Sequence, residues 1–148
     1  MLPSDYVVSA LADLMWEDQE DGTSGMIARG IMVRNRVRAG WHGGDWLKNI
    51  QEFNPESFSA PAGGREVKLG DPYRDRVFIH ILGMAAAIYE GRDMGAAAIK
   101  GPDGKMHGGD MIDGGLWAAR LDQCSPEFAQ AMKNHERVAQ VGLRSFFK

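Results

Sequence analysis

A chain of 148 residues, 44% hydrophobic and 25% charged, has the make-up of one globular domain that can bury a single core without staples. A formal net charge of −3 supplies no general basic face, so neither nucleic acid nor an anionic membrane surface is an expected partner. The one cysteine, Cys124, excludes an intrachain disulfide; with no paired His or electropositive setting evident, it is expected to be a small buried side chain.

The N-terminal segment MLPSDYVVSALADLMWEDQE has no basic n-region and is interrupted by Asp5 and Asp13, so it does not read as a signal peptide. No stretch is long and apolar enough to suggest membrane insertion. Ser4 or Asp5 can cap a helix predicted from about Tyr6 to Glu20, with Val7, Leu11, Leu14 and Met15 on its apolar face. Asp21-Gly22-Thr23-Ser24 stops that helix, and Ser24 is placed to cap a second one from about Gly25 to Arg38. Ile27, Ile31 and Asn35 share one side of it. Gly30 costs roughly 1 kcal/mol against Ala in a helix interior, which suggests a close approach by another element.

Ala39-Gly40 and Gly43-Gly44 break the chain, Asp45 caps a short helix through Ile50, and Gln51–Leu69 reads as loop. Asp71-Pro72 opens a helix reading YRDRVFIHILGMAAAIYEG, with Val77, Ile81, Met84 and Ile88 inward and Gly91 at its end. The Gly-, Asp- and Pro-rich segment Gly95–Gly115 is either a short hairpin around Pro102-Asp103-Gly104 or a long functional loop. Ser125-Pro126-Glu127 starts a last helix to about His135, and the tail VAQVGLRSFF reads as a strand. No repeat or linker divides the chain, so residues 1–148 are expected to form one mostly helical α+β domain.

Three groups of residues can carry chemistry. Glu17, Glu20 and Asp21, with Asp18 beside them, crowd negative charge at the negative end of a helix. Such crowding disfavours ionisation, so a carboxyl group there can keep its proton and serve as a general acid; the bland alternative is a solvated acidic helix end. The histidines, His42, His80, His107 and His135, form no HExxH or short pair, although Asp110 and Asp113 near His107 leave a metal site open beside the reading of unrelated histidines. Trp41, Trp46, Tyr73 and Trp117 lie in or near predicted loops and suit either stacking on sugar rings or packing. Gly63-Gly64 and Gly108-Gly109 lack the strand-then-helix setting of a phosphate loop.

The stretch EDQEDGTSGMIARGIMVRNRVRAG resembles the start of the SleB-type cell wall hydrolase domain, which shows a Glu, a Gly eight residues on, and an apolar helix closing in Asn-Arg-Val. Here these are Glu17, Gly25 and Asn35-Arg36-Val37, and the family's second acidic residue, four after the first, falls on Asp21. Ser57-Phe58-Ser59 is similar to the family's Gln-Phe-Ser, AAAIYEGRDMGAAA to its Ala-rich helix with Gly, Asp and Gly-Ala, and VGLRSFF to its closing Ile-Gly-x-His-x-Phe-Tyr. The likeness spans nearly the whole chain in order. It departs at Asp18-Gln19-Glu20, where the family has a small residue, Arg and Gly, at Arg144-Ser145, where the family tends to have a His, and in the loop 95–115.

The resemblance implies a lysozyme-like fold and an enzyme that cuts the β-1,4 bond between N-acetylmuramic acid and N-acetylglucosamine, most simply as a lytic transglycosylase. Glu17 would be the single acid/base; Glu20 and Asp21, on its own helix, are poorly placed to face it across a sugar ring. Asp21, Asn35, Phe58, Ser59, Trp41 and Trp46 are the candidate substrate-binding residues, with Asn35 equally readable as a buried amide tying two loops. Phe146 and Phe147 are expected in the core. No cofactor or metal is expected. The implied partner is the peptidoglycan glycan strand, met by a monomer acting on the cell wall after delivery through a holin pore or within a virion. The competing readings are an N-acetylmuramoyl-L-alanine amidase, which would need zinc, and a non-catalytic virion or wall-binding module.

Overall fold

The computed structural model describes residues 3–53, 75–91, 99–100, 106–107 and 112–148. Among these described residues are five helices: α1 (Pro3–Trp16), α2 (Gly22–Arg38), α3 (Trp46–Gln51), α4 (Asp75–Tyr89) and α5 (Pro126–Met132). Two short strands, β1 (Ile99–Lys100) and β2 (Met106–His107), pair antiparallel. They flank Pro102-Asp103-Gly104, as the hairpin alternative anticipates. A second antiparallel sheet has the order β3-β5-β4, from β3 (Trp117–Ala119), β4 (Arg137–Val141) and β5 (Arg144–Phe147). The mostly helical α+β class is therefore present.

Helix α2 is the centre of the molecule. Every residue from Gly25 to Arg36 is buried, polar ones included. Helices α1, α3 and α4 pack around it. Gly30 sits where three of these helices meet: a Cβ there would lie 2.7 Å from Ile88 Cδ1 of α4 and 2.8 Å from Met15 Sδ of α1. The predicted close approach is real, and it explains why an intrinsically poor helix residue stands mid-helix. Leu11, Leu14, Met15, Ile31, Ile81 and Ile88 fill the surrounding core.

Local signals are realised where predicted. Asp45 caps α3 by accepting from the Lys48 amide at 2.9 Å, and Ser125 caps α5 by accepting from the Phe128 amide at 3.2 Å. Gly91 takes a φ of +70° just beyond α4. Four boundaries differ. Helix α1 already includes Pro3, so Ser4 and Asp5 lie within its first turn rather than capping a start at Tyr6. Helix α1 stops at Trp16 rather than Glu20; the next amides, of Glu17 and Asp18, bond three residues back, to Leu14 and Met15. Acidic residues at a helix C-terminus oppose its dipole, and this cluster is held by arginines from elsewhere. Helix α2 begins at Gly22, with Asp21 rather than Ser24 at the N-cap. Helix α5 ends at Met132, short of His135.

The tail is two strands rather than one. Gly142, at φ +59°, turns β4 back into β5. Consecutive side chains on a strand point to opposite faces, so Phe146 enters the main core. Phe147 joins Trp117, Ala119, Phe128 and Met132 in a second one. Both phenylalanines are buried, as expected. Trp117 is buried at the start of β3, next to the loop that precedes it, and Cys124 is half-buried beside the second core rather than fully buried.

Candidate active site

Between α1 and α2 the chain makes a tight turn, closed by a single 3-10 segment at Gln19–Asp21. Gly25 is why the turn can lie flat on α2. A Cβ at Gly25 would stand 2.3 Å from Asp21 Cβ and 3.3 Å from the Asp18 carbonyl oxygen. The eight-residue spacing from Glu17 to Gly25 therefore has a steric meaning: it is the length of chain that leaves α1, folds over, and needs a bare backbone beneath it.

Arg29 lies one turn beyond Gly25 on the same face of α2. Its Nη1 donates to Glu17 Oε2 at 2.9 Å, and its Nε lies 2.8 Å from Asp18 Oδ2, the latter a contact of charge rather than a well-directed hydrogen bond. Arg144, from β5, closes the array. Its Nη2 lies 3.4 Å from Asp18 Oδ1, and its Nε donates to Asp21 Oδ2 at 3.0 Å. Gly142 at the β4–β5 turn leans on the same Asp21; a Cβ there would be 3.2 Å from Asp21 Oδ1. The acidic turn is thus an ion-paired joint between two helices and the C-terminal hairpin, not a solvated helix end.

The carboxylates in this array have different exposures. Asp18 keeps 4% of its side chain accessible and Asp21 16%, whereas Glu17 keeps 42%. Burial raises the Asp18 carboxyl above the usual carboxylate range; Arg29 and Arg144 pull it down, and Asp21 pushes it up. The carboxyl that the fold biases toward its protonated form is thus Asp18, mainly through desolvation rather than crowding at a helix end. Arg29 and Arg144 are not among the residues expected at the site, and Asp18 is expected there only as a member of the acidic cluster. The shared helical face of Gly25 and Arg29 was a usable signal for Arg29. Asp18 and Arg144 are both departures from the resembled pattern, and they face each other.

A second row of contacts runs along α2. The Arg29 guanidinium carbon lies 5.3 Å from the Phe53 ring centre, and that of Arg36 lies 4.8 Å from Phe53 and 4.5 Å from Trp41. Arg36 Nε donates to the Leu116 carbonyl at 2.8 Å. Burial lowers the Arg36 guanidinium to about 10, with repulsion from Arg29 adding to the effect.

The other anticipated residues separate. Asn35 is buried and its Nδ2 donates to the Gly115 carbonyl at 3.1 Å, so its amide holds the loop before β3 in place of lining an open groove. Trp41 packs edge-on against Trp117 at 5.5 Å and reaches the acidic turn only through Arg36 and Phe53. Trp46 packs on Tyr89 at 5.2 Å. Phe58, Ser59, Tyr73 and Asp110 lie outside the described residues. His42 pairs with Glu52 at 2.8 Å and His135 packs on Trp117, and among the described residues no group of three metal-ligating side chains forms. A shallow depression of about 200 Å³ lies along Arg137–Gln140 on β4.

What the acidic turn offers chemically is one partly exposed carboxyl fixed by a buried guanidinium, with its two nearest acidic partners already engaged. No family model matches the chain, and no curated protein or solved structure matches it.

Proposed function

We propose that this chain is a peptidoglycan-cleaving enzyme of the SleB type, with a lysozyme-like fold and Glu17 as its catalytic acid/base. The observation that carries the reading is the division of labour in the acidic turn. Asp18 and Asp21 are committed to arginines inside the joint, while Glu17 projects toward solvent and is held in place by Arg29.

A single carboxyl suffices for a lytic transglycosylase. Protonated Glu17 gives its proton to the glycosidic oxygen as the bond from the muramic anomeric carbon to that oxygen breaks, and the N-acetylglucosamine side leaves as an alcohol. Glu17, now a carboxylate, takes the proton from the muramic 6-hydroxyl, whose oxygen bonds to the anomeric carbon. The product is a 1,6-anhydro sugar, Glu17 ends protonated, and no water is consumed. A hydrolase would need a second carboxylate across the sugar. Asp21, engaged by Arg144, is a poor candidate for it. The enzyme would act on the cell wall as a monomer, delivered through a holin pore or in a virion.

Purified sacculi digested with wild type and Glu17→Gln test the reading. Anhydromuramic ends from wild type and almost none from Glu17→Gln are expected. A near wild-type rate from Glu17→Gln overturns it, reducing ends redirect it to a muramidase, and free stem peptides to an amidase. The wall-binding module has one observation in its favour, that Glu17 already has an ion-pair partner. Sacculus binding without release of any fragment would establish that alternative.

A further inference from the structure

We infer that Arg29 is a positioning residue for Glu17, aimed by Asp18 and Arg144; the inference rests on the reading of Glu17 as the catalytic acid. Arg29 is itself almost fully buried, at 6% exposure, and is constrained on three sides. Glu17 Oε2 lies 2.9 Å from its Nη1, Asp18 Oδ2 2.8 Å from its Nε, and the Phe53 ring 5.3 Å from its carbon. Two carboxylates and a ring face fix the place of the guanidinium. A planar fork held this way delimits where the Glu17 carboxyl can sit, as a flexible point charge such as Lys cannot.

Asp18 is the fixed end of the relay. It is buried between α1 and α2, and its other oxygen faces Arg144 at 3.4 Å, so the C-terminal hairpin braces the same carboxylate that orients Arg29. The order Arg144, Asp18, Arg29, Glu17 alternates in charge and passes from the half-buried Arg144 through the buried Asp18 and Arg29 to the exposed Glu17. Nothing in this order requires Arg29 to touch the glycan. Its contribution is to hold one carboxyl where a glycosidic oxygen can meet it, and misplacement of a reacting group by about 1 Å can cost on the order of 100-fold in rate.

The test compares Glu17→Gln, Arg29→Ala, Arg29→Lys and the Glu17→Gln/Arg29→Ala double variant on soluble glycan strands, with and without millimolar guanidinium chloride and with sodium chloride at equal ionic strength. Folding of each is followed by near-UV circular dichroism and melting. Arg29→Ala is expected to lose about 10- to 100-fold in kcat, with KM little changed. Guanidinium ion should restore part of that loss saturably, sodium chloride should not, and neither should help wild type or the double variant. Because Arg29→Ala strands Asp18 without its nearer cation, Arg29→Lys carries the test if the alanine variant fails to fold. It keeps the charge, loses the fork, and should lose kcat out of proportion to its melting temperature. A folded Arg29→Lys with wild-type kcat, or a folded Arg29→Ala whose loss guanidinium does not relieve, overturns the inference while leaving an inactive Glu17→Gln to support the catalytic reading. A fully active Glu17→Gln overturns both.

Discussion

The same substitution, Gly to Ala, should have opposite effects at different helical glycines, and the difference follows from what each Cβ would meet. At Gly83 of α4 nothing lies within 4 Å, so Ala should stabilise by up to about 1 kcal/mol through helix propensity alone. At Gly30 the obstacles, at 2.7 and 2.8 Å, are Ile88 Cδ1 and Met15 Sδ, which are ends of side chains that can rotate. Overpacking there is expected to cost about 1–2 kcal/mol, with the propensity gain offsetting part of it. At Gly25 the obstacle is Asp21 Cβ at 2.3 Å, an atom fixed to the backbone. Ordinary carbon–carbon contact is about 3.5–4.0 Å, so the turn must lift by more than 1 Å. That movement strains the Arg144–Asp21 hydrogen bond at 3.0 Å and displaces the turn carrying Glu17. Gly25→Ala should therefore lose about 2–3 kcal/mol and, uniquely in the series, lose activity beyond what its unfolded fraction explains. Urea denaturation gives the stabilities, and release of fragments from sacculi under strongly native conditions gives the activity. Equal stability of Gly25→Ala and Gly83→Ala would refute the steric account of the Glu17–Gly25 spacing.

Two further expectations concern buried polar groups. Because folding raises the Asp18 carboxyl, the unfolded chain loses that proton first as pH rises above its unfolded value of about 3.9. In that window the folded state holds more protons, so Asp18's contribution to stability falls with rising pH until the folded carboxyl has also ionised. Wild type should therefore lose stability relative to Asp18→Asn as pH is raised from 4 toward neutrality, measured by paired urea titrations; a gain would contradict the burial assigned to Asp18. Asn35→Ala removes the Nδ2 donor from the buried Gly115 carbonyl and should cost about 1–3 kcal/mol, with native-state hydrogen exchange rising first in the Gly115–Ala119 region. Uniform exchange across the domain would argue against a local tie.

What could be read from the sequence was what depends on neighbours in the chain. The Asp45 and Ser125 caps, the Gly91 stop and the apolar spacing of Ile81 and Ile88 are set within a turn or two of helix, and each is present. The turn after α1 is not legible, because its acidic residues are held by Arg144, which contacts Asp21 across 123 positions of sequence. The strand Trp117–Ala119 was equally hidden. Alanine has little β propensity, and Ala118 and Ala119 form a strand because small residues are needed opposite Phe146 and Ser145. Gly142 is one glycine in an apolar run, and an isolated Gly in a strand pattern is a signal for a bend.

The site shows the same limit in chemical terms. The resemblance singled out Glu17 and Gly25, and the structure supplies a steric reason for that pair. Spacing could not say which of the neighbouring acids is buried, since Asp18, Glu20 and Asp21 are equivalent as letters and differ only in what faces them. Asp18 and Arg144 are each, taken alone, a weakening of the resemblance on which the proposed function rests. Together they form one contact of opposite charges at 3.4 Å, inside the joint that carries Glu17. An unpaired carboxylate at the Asp18 position would be costly, and Arg144 is placed to offset that cost. The two departures are therefore better understood as one change in how the turn is braced than as two independent losses of a catalytic pattern. Under that reading Asp18→Asn and Arg144→Met should be non-additive, the double variant being less destabilised than the sum of the two.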